Sequence, residues 1–237
     1  MSAAERPAAI RPDQRLLVVG KTGTGKSTLA RWLWATQYGP RSGHRWRVLV
    51  DVEDIYELVP EKGVWQGSGK PDWRAEVIRW SPRNASDVGE YEALYRELNA
   101  RPGVCVWNDE VTASSPQSAR VPEQRNYQLR GRKHGRAHIA CTQFPVLIDR
   151  TYVDQCEHLF MFQVKRPEDV DRLAKMVGED HQALRARLAG LPRPEPDDGG
   201  PSHGFLWHAD ARDRLVERAP LTPAQMKQAD RLVIARK

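Results

Sequence analysis

Residues 20–27 read GKTGTGKS, and this segment leaves fewer possible folds for the chain than any other part of its sequence. It matches the pattern G-x-x-x-x-G-K-S/T. An apolar run, RLLVV at 15–19, precedes it, and a helical pattern at 26–38 follows with Leu29, Trp32 and Leu33 at core spacing. A buried strand, a glycine-rich loop and a helix in this order predict a phosphate-binding loop in an α/β fold.

The spacing within this loop has a chemical reason. Glycines allow the backbone to curl so that successive N–H groups point at phosphate oxygens, and the following helix N-terminus favours the same anion. Lys26 is expected to reach the β- and γ-phosphates, and the Ser27 hydroxyl to ligate Mg²⁺. The alternative is a glycine-rich turn that binds nothing. The predicted nucleotide-binding residues are consecutive: Gly20, Lys21, Thr22, Gly23, Thr24, Gly25, Lys26, Ser27 and Thr28.

A second apolar run, VCVWN at 104–108, ends in the acidic pair Asp109 and Glu110. Asp109 is expected to hold Mg²⁺, and Glu110 to polarise the attacking water as a general base does. The alternative is an acidic helix cap or a solvated turn. An acid that activates water favours hydrolysis over a small-molecule kinase, which needs a hydroxyl acceptor site. The run AHIACT at 137–142 is followed by a polar residue, Gln143, which is predicted to sense the γ-phosphate. The alternative is that Gln143 only bonds a loop.

Strands alternate with helices up to residue 190, a pattern that predicts a mainly parallel sheet with helices on both faces. The pattern also places one strand between the two phosphate-site strands. Predicted strands are 15–19, 46–51, 75–80, 103–108, 137–142 and 158–163; predicted helices are 26–38, 86–100, 123–134, 167–177, 179–189 and 222–235. Segments 60–74 and 111–122 are predicted to be loops. We expect a flexible arm at 1–13, an ATPase core at 14–190, a linker at 191–203, and a small hairpin and helix at 204–237.

Composition narrows the class of protein. Hydrophobic residues make up 40% of the 237 residues, which excludes a wholly disordered chain. The net charge of +6 permits an anionic partner without proving one. The cysteines, Cys105, Cys141 and Cys156, form no metal-binding pattern and are expected to be buried thiols. No apolar run approaches the about 20 residues of a membrane span, and the N-terminus lacks a signal-peptide core, so we expect a soluble cytoplasmic protein.

Six basic residues lie within 17 positions of one another, opposed only by Glu123. They are Arg120, Arg125, Arg130, Arg132, Lys133 and Arg136. Three explanations stay open: a solvated helix face, contacts with nucleic-acid phosphates, or an arginine that acts on the ATP site of a neighbouring subunit.

Three blocks taken in order, GKTGTGKS at 20–27, VCVWNDE at 104–110 and GRKHGRAHIACTQFP at 131–145, resemble the FtsK–HerA superfamily of ring-shaped DNA-pumping ATPases. The resemblance covers roughly residues 14–178. It implies a RecA-like fold of the ASCE class, a homo-hexameric ring, ATP, Mg²⁺, and double-stranded DNA in the pore. It makes Arg132 the first candidate for a trans-acting arginine, followed by Arg130 and Arg125. Arg136 departs from the family's usual aliphatic residue and is expected to add charge near the subunit face.

The short chain resembles the genome-packaging ATPases of membrane-containing icosahedral double-stranded-DNA viruses more than the larger cellular members. This resemblance implies a motor that fills a preformed capsid in the host cytoplasm, with capsid vertex proteins as partners. Alternatives are a cellular or plasmid DNA-transfer ATPase, a filamentous-phage export ATPase, or a P-loop kinase. Pore contacts are expected in segments 62–74 and 112–122, with Lys62, Lys70, Arg74 and Arg120 as DNA-binding candidates. Trp65 and Trp73 lie in the first segment and are open to a stacking role.

Overall fold

A computed structural model describes residues 10–58, 63–116, 121–193, 203–210, 214–229 and 234–236. The strands are β1 Arg15–Val19, β2 Trp46–Val50, β3 Tyr56–Leu58, β4 Val64–Gln66, β5 Val77–Ser81, β6 Val104–Asn108, β7 Ala137–Thr142, β8 His158–Met161, β9 Phe205–Ala209, β10 Arg214–Arg218 and β11 Ile234–Arg236. The helices are α1 Lys26–Gln37, α2 Val88–Asn99, α3 Val111–Ser114, α4 Pro122–Arg130, α5 Arg150–Asp154, α6 Pro167–Val177, α7 His181–Ala189 and α8 Pro223–Ala229.

Nine strands form one sheet in the order β10-β9-β8-β1-β7-β6-β2-β5-β4. The strands from β8 to β4 run parallel, whereas β9 and β10 join as an antiparallel hairpin beside β8. One strand, β7, separates β1 from β6, as the sequence predicts. The carboxyl ends of β1, β7, β6 and β2 therefore meet at one edge of the sheet, where ligands bind in open parallel sheets.

Helices cover both faces because alternate residues of each central strand point in opposite directions. Leu16 and Val18 of β1 pack in the cluster beneath α1, whereas Leu17 and Val19 pack against α6 and α7. Strands buried on both faces read as unbroken apolar runs, which explains why β1, β6 and β7 were predicted within a residue of their bounds. The predicted fold class, a mainly parallel α/β sheet with a C-terminal hairpin and helix, is confirmed.

Two predicted elements are wrong. Segment 60–74, predicted as a loop, contains β4, in which Trp65 is buried and its ring centroid lies 6.3 Å from that of Trp80. This strand exposes two of its three side chains, so it lacks an apolar run. The helix predicted at 222–235 ends at Ala229, and β11 then pairs antiparallel with β3. A three-residue strand stabilised by a distant partner leaves no periodic signal in the sequence.

Smaller differences concern two basic or polar segments. The basic helix predicted at 123–134 is α4, which ends at Arg130 and is followed by a 3₁₀ turn at Arg132–His134. Gly135 ends that turn with a φ of 62°, a conformation that favours glycine. The polar loop predicted at 111–122 begins with the short helix α3. Residues 1–9 of the predicted arm and 194–202 of the predicted linker lie outside the described residues.

The burial of the cysteines and of two tryptophans can be compared with the sequence predictions. Cys105, Cys141 and Cys156 are buried free thiols, as predicted. Trp65 belongs to the core, and Trp73 is half-buried with the Arg101 guanidinium 4.1 Å from its ring centroid. Both rings therefore pack within the protein. Within the described ranges, no helix is long and apolar enough to cross a membrane.

Candidate active site

The phosphate-binding loop lies at the carboxyl edge of the sheet, between β1 and the N-terminus of α1. Its Gly23 and Gly25 have φ angles of 82° and 92°, which side chains rarely tolerate. Gly20 permits close packing, since an added Cβ would lie 2.6 Å from the Cβ of Phe162. The first turn of α1 contributes N–H groups with no partner inside the helix, so the loop presents backbone donors to its concave side.

Hydrogen bonds fix the shape of this loop. The Lys21 N–H donates to the Gln163 carbonyl at 2.8 Å, and the Thr24 hydroxyl donates to the Lys21 carbonyl at 2.8 Å. The Lys26 ammonium donates to that same carbonyl at 3.2 Å and is only 9% exposed. Lys26, Ser27 and Thr28 line one cleft with Asp109, Glu110 and Gln143, as predicted from separate parts of the sequence.

Asp109 follows β6 and lies at the base of this cleft. Its Oδ2 accepts a hydrogen bond from the Tyr56 hydroxyl at 2.8 Å, whereas its buried Oδ1 has no hydrogen-bond partner in the described structure. Burial raises the pKa of Asp109, and the hydroxyls of Tyr56 and Ser27 act in the opposite direction. A free carboxylate oxygen beside a serine hydroxyl fits Mg²⁺, a cation that prefers oxygen ligands and shares them with substrate phosphates.

The described residues contain no group of three or more His, Cys, Asp or Glu side chains that could hold a metal ion. The predicted ligands Ser27 and Asp109 supply two oxygens, and the phosphates of a bound nucleotide would supply others. The predicted metal ligands therefore fit Mg²⁺ together with a nucleotide.

Glu110 caps α3 and faces the same cleft. Its Oε1 accepts a hydrogen bond from the Thr112 N–H at 3.2 Å. Burial raises the pKa of Glu110, and the bond from Thr112 opposes this rise. A carboxylate with a raised pKa is a stronger base, and the bond to Thr112 orients it. This environment suits the predicted activation of water.

Gln143 contacts the phosphate-binding loop directly. Its Oε1 accepts a hydrogen bond from the Thr22 hydroxyl at 2.8 Å. Behind it, the hydroxyls of Thr112 and Thr142 lie 2.8 Å apart, which joins the loop after β6 to the end of β7. Gln143 therefore lies in the cleft against the phosphate-binding loop, where a bound nucleotide would be within its reach.

Sequence reasoning missed the part of the site that follows β2. Asp51 is fully buried and accepts hydrogen bonds from the backbone N–H groups of Ile55 and Tyr56 at 3.1 and 2.9 Å. Glu53 lines the rim of the cleft. The run RVLVD at 47–51 has the same form as the run before Asp109, an apolar strand that ends in an acid, and this signal could have found Asp51.

The three candidate trans-acting arginines have different surroundings. Arg132 precedes β7, at the sheet edge opposite the cleft, and pairs with Asp13 at 3.0 Å and with Glu157 at 3.8 Å. Arg125 and Arg130 are exposed on α4 and form no ion pair within the ranges given above. The cleft and these arginines therefore belong to different regions of the surface.

Arg136 does not add charge to a surface, contrary to expectation. It is 6% exposed, and its guanidinium donates to the Arg101 carbonyl at 2.8 Å and to the Asn99 carbonyl. The Asn99 carbonyl is the last of α2, where the helix itself leaves it without a partner, and the Arg101 carbonyl lies two residues beyond the helix. Arg136 is therefore a buried cap of that helix.

The DNA-binding candidates are exposed where the structure describes them. Arg74 is paired with Asp72 through two contacts of 2.9 and 3.0 Å, and Lys70 is exposed. Lys62 and Arg120 lie outside the described residues.

Solved structures share this fold. The genome packaging NTPase B204 from Sulfolobus turreted icosahedral virus 2, in complex with ATP-gammaS, has a TM-score of 0.64 at 16% identity, over 90% of this chain and 100% of that chain. The pCW3 conjugation coupling protein TcpA has a TM-score of 0.55 at 15% identity, over 93% and 66%. ATPases 2 and 3 of EssC from Geobacillus thermodenitrificans have a TM-score of 0.54 at 12% identity, over 92% and 43%.

No protein-family model matches the chain, and no curated protein matches it. At identities this low, the structural likeness establishes the fold. The α/β fold that the sequence resemblance implies is therefore confirmed.

Proposed function

We propose that this protein hydrolyses ATP and uses the energy to translocate double-stranded DNA, in the packaging of a viral genome. The observation that carries the ATPase assignment is the meeting of Lys26, Ser27, Asp109, Glu110 and Gln143 in one cleft. These residues come from three separate loops. Their side chains supply the cation, the metal-ligand oxygens, the base and the amide that phosphoryl transfer to water needs.

Each residue of the cleft has a defined task in this mechanism. The loop N–H groups and the Lys26 ammonium bind the phosphates and place the γ-phosphate near Glu110 and Gln143. Glu110 orients the attacking water and accepts its proton, while the Gln143 side chain donates a hydrogen bond to a γ-phosphate oxygen. Ser27 and Asp109 would hold Mg²⁺ together with the nucleotide, and the ion would neutralise charge that develops on the phosphates.

Packaging is supported by the structural similarity to the packaging NTPase B204. The TM-score is 0.64 for B204, against 0.55 for the conjugation coupling protein and 0.54 for the EssC ATPases. A net charge of +6 is compatible with a nucleic-acid partner. We include the homo-hexameric ring and the capsid vertex partner in this proposal. Conjugative DNA transfer is the alternative, since the fold is also that of a coupling protein.

Translocation is tested by displacement of a labelled third strand from a DNA triplex. We expect ATP to drive displacement by the unmodified chain, and ATP-γ-S to fail because hydrolysis powers each step. Glu110→Gln is the matched control, since it changes one atom of the base and keeps the fold. If the chain hydrolyses ATP but never displaces the strand, the motor assignment is wrong and the ATPase assignment remains.

A further inference from the structure

The turn after β2 brings a tyrosine into contact with the predicted metal ligand. Tyr56 is 3% exposed, and its hydroxyl donates to Asp109 Oδ2 at 2.8 Å. Ser27, the other predicted Mg²⁺ ligand, lines the same cleft as Asp109. The remaining oxygen, Asp109 Oδ1, is buried without a hydrogen-bond partner in the described ranges.

A buried ion pair fixes this turn. Asp51 accepts the Tyr56 N–H, and its Oδ2 also accepts a hydrogen bond from Arg79 Nε at 2.8 Å. The Arg79 guanidinium makes a second ion pair with Asp54, whose φ of 54° is uncommon for a residue other than glycine. The backbone is thus held on both sides of Tyr56, and β3 begins at Tyr56 itself.

The tyrosine ring has its own packing partner. Its centroid lies 5.3 Å from that of Trp107 in an edge-to-face arrangement. Phenylalanine would preserve that contact, so packing alone does not explain the hydroxyl. A tyrosine hydroxyl, with an ordinary pKa of about 10, keeps its proton at neutral pH and can therefore donate this hydrogen bond.

We propose that Tyr56 is a positioning residue that holds Asp109 Oδ2, so that Oδ1 is directed toward the Mg²⁺ that accompanies the nucleotide. A carboxylate fixed on one oxygen loses little side-chain entropy when the other oxygen binds a cation. Tyr56 therefore sets the Mg²⁺ concentration that the site needs. This inference rests on the proposed ATP site and adds a residue from outside the recognised motifs.

The test is the affinity for a fluorescent ATP analogue, measured in EDTA and over a Mg²⁺ titration, with Tyr56→Phe. We expect the half-saturating Mg²⁺ concentration to rise about tenfold, the size of one lost hydrogen bond to a charged group, and the affinity in EDTA to stay unchanged. The matched control is Tyr91→Phe, which removes another buried hydroxyl that donates to the Ala85 carbonyl at 3.1 Å. This control should leave the titration unchanged.

A second variant separates positioning from loss of fold. Against an Asp109→Asn background, Tyr56→Phe should produce no further change in Mg²⁺ dependence, because its effect acts through Asp109. Equal Mg²⁺ dependence of Tyr56→Phe and the unmodified chain overturns the proposal, as does an equal loss in EDTA and in Mg²⁺. Failure of the proposed function is distinguishable: the unmodified chain itself would then show no Mg²⁺-dependent nucleotide binding, which overturns both.

Discussion

Two adjacent carboxylates are prepared for different tasks by their hydrogen bonds. Asp109 accepts a hydrogen bond from the Tyr56 hydroxyl, and its other, buried oxygen has no hydrogen-bond partner in the described structure. Glu110 accepts a hydrogen bond from the Thr112 N–H at the start of α3. Burial raises the pKa of both groups. The first arrangement suits a metal ligand and the second a base, so substitutions of the two should differ in effect.

Glu110→Gln should bind ATP with unchanged affinity and hydrolyse it about 10²–10⁴-fold more slowly, because only the base is lost. Steady-state phosphate release and equilibrium binding of a fluorescent ATP analogue measure the two effects separately. Glu179→Gln, far along the chain and paired with Arg187, is a control for the same chemical change. Turnover that equals that of the unmodified chain would remove Glu110 from the mechanism.

The raised pKa of Glu110 also predicts a pH dependence. The base acts when ionised, so kcat/KM should fall as the pH drops through the raised pKa. The acid limb of the pH–rate profile, where kcat/KM falls with decreasing pH, should then have its midpoint above about 4.3, the ordinary pKa of glutamate. The residual activity of Glu110→Gln should lack this limb, while ionisation of ATP affects both proteins alike. Identical profiles for the two proteins would show that another group causes the limb.

At the scale of elements, α2 depends on a side chain from a distant part of the chain. Arg136 donates to backbone carbonyls at the end of that helix while itself buried. Arg136→Ala should lower the free energy of unfolding by about 1.5–3 kcal/mol, since the carbonyls lose charged donors. For a chain of this size that is a fall in Tm of roughly 3–12 °C. Differential scanning calorimetry measures it.

Arg130→Ala provides the comparison for that prediction, because Arg130 is exposed at the end of α4. It should change Tm by no more than about 1–2 °C, as is usual for surface substitutions. If the two variants melt at the same temperature, Arg136 does not cap α2 to any useful extent.

Strands that are buried on both faces could be predicted from the sequence, and the short strands β4 and β11 could not. The apolar runs of β1, β6 and β7 carry enough signal in five or six residues. By contrast, β4 and β11 have three residues each and depend on partners elsewhere in the chain. The candidate active site is also only partly predictable, because some of its contacts join residues that are distant in the sequence. Motif spacing identified Lys26 and Asp109, but the hydrogen bond from Tyr56 spans 53 residues and follows only from the fold.

At the scale of the whole molecule, subunit contacts should decide which arginine acts on a neighbouring ATP site. Arg132 would first have to break its ion pairs with Asp13 and Glu157, whereas Arg125 and Arg130 would not. We therefore expect Arg125→Ala or Arg130→Ala to reduce turnover more than Arg132→Ala, with ATP binding unchanged in all three. Mixing an affected arginine variant with Glu110→Gln should restore some activity. In a mixed ring, some ATP sites combine an intact Glu110 from the arginine variant with an intact arginine from the neighbouring Glu110→Gln subunit.

A different outcome of the mixing experiment would contradict an ATP site that is shared between two subunits. If no mixture of an arginine variant with Glu110→Gln recovers activity, action between subunits is contradicted. If Arg132→Ala alone reduces turnover, the ion pairs at Asp13 and Glu157 must open during assembly.

We expect ATP hydrolysis in this cleft to be coupled to double-stranded DNA. Its most direct test is the steady-state rate of ATP hydrolysis with and without duplex DNA, at low and at moderate salt. We predict stimulation by DNA that weakens steeply as salt rises, because contacts with backbone phosphates release counterions. A hydrolysis rate that is the same with and without DNA at both salt concentrations would contradict the motor, and would direct the search for a coupled partner toward a protein.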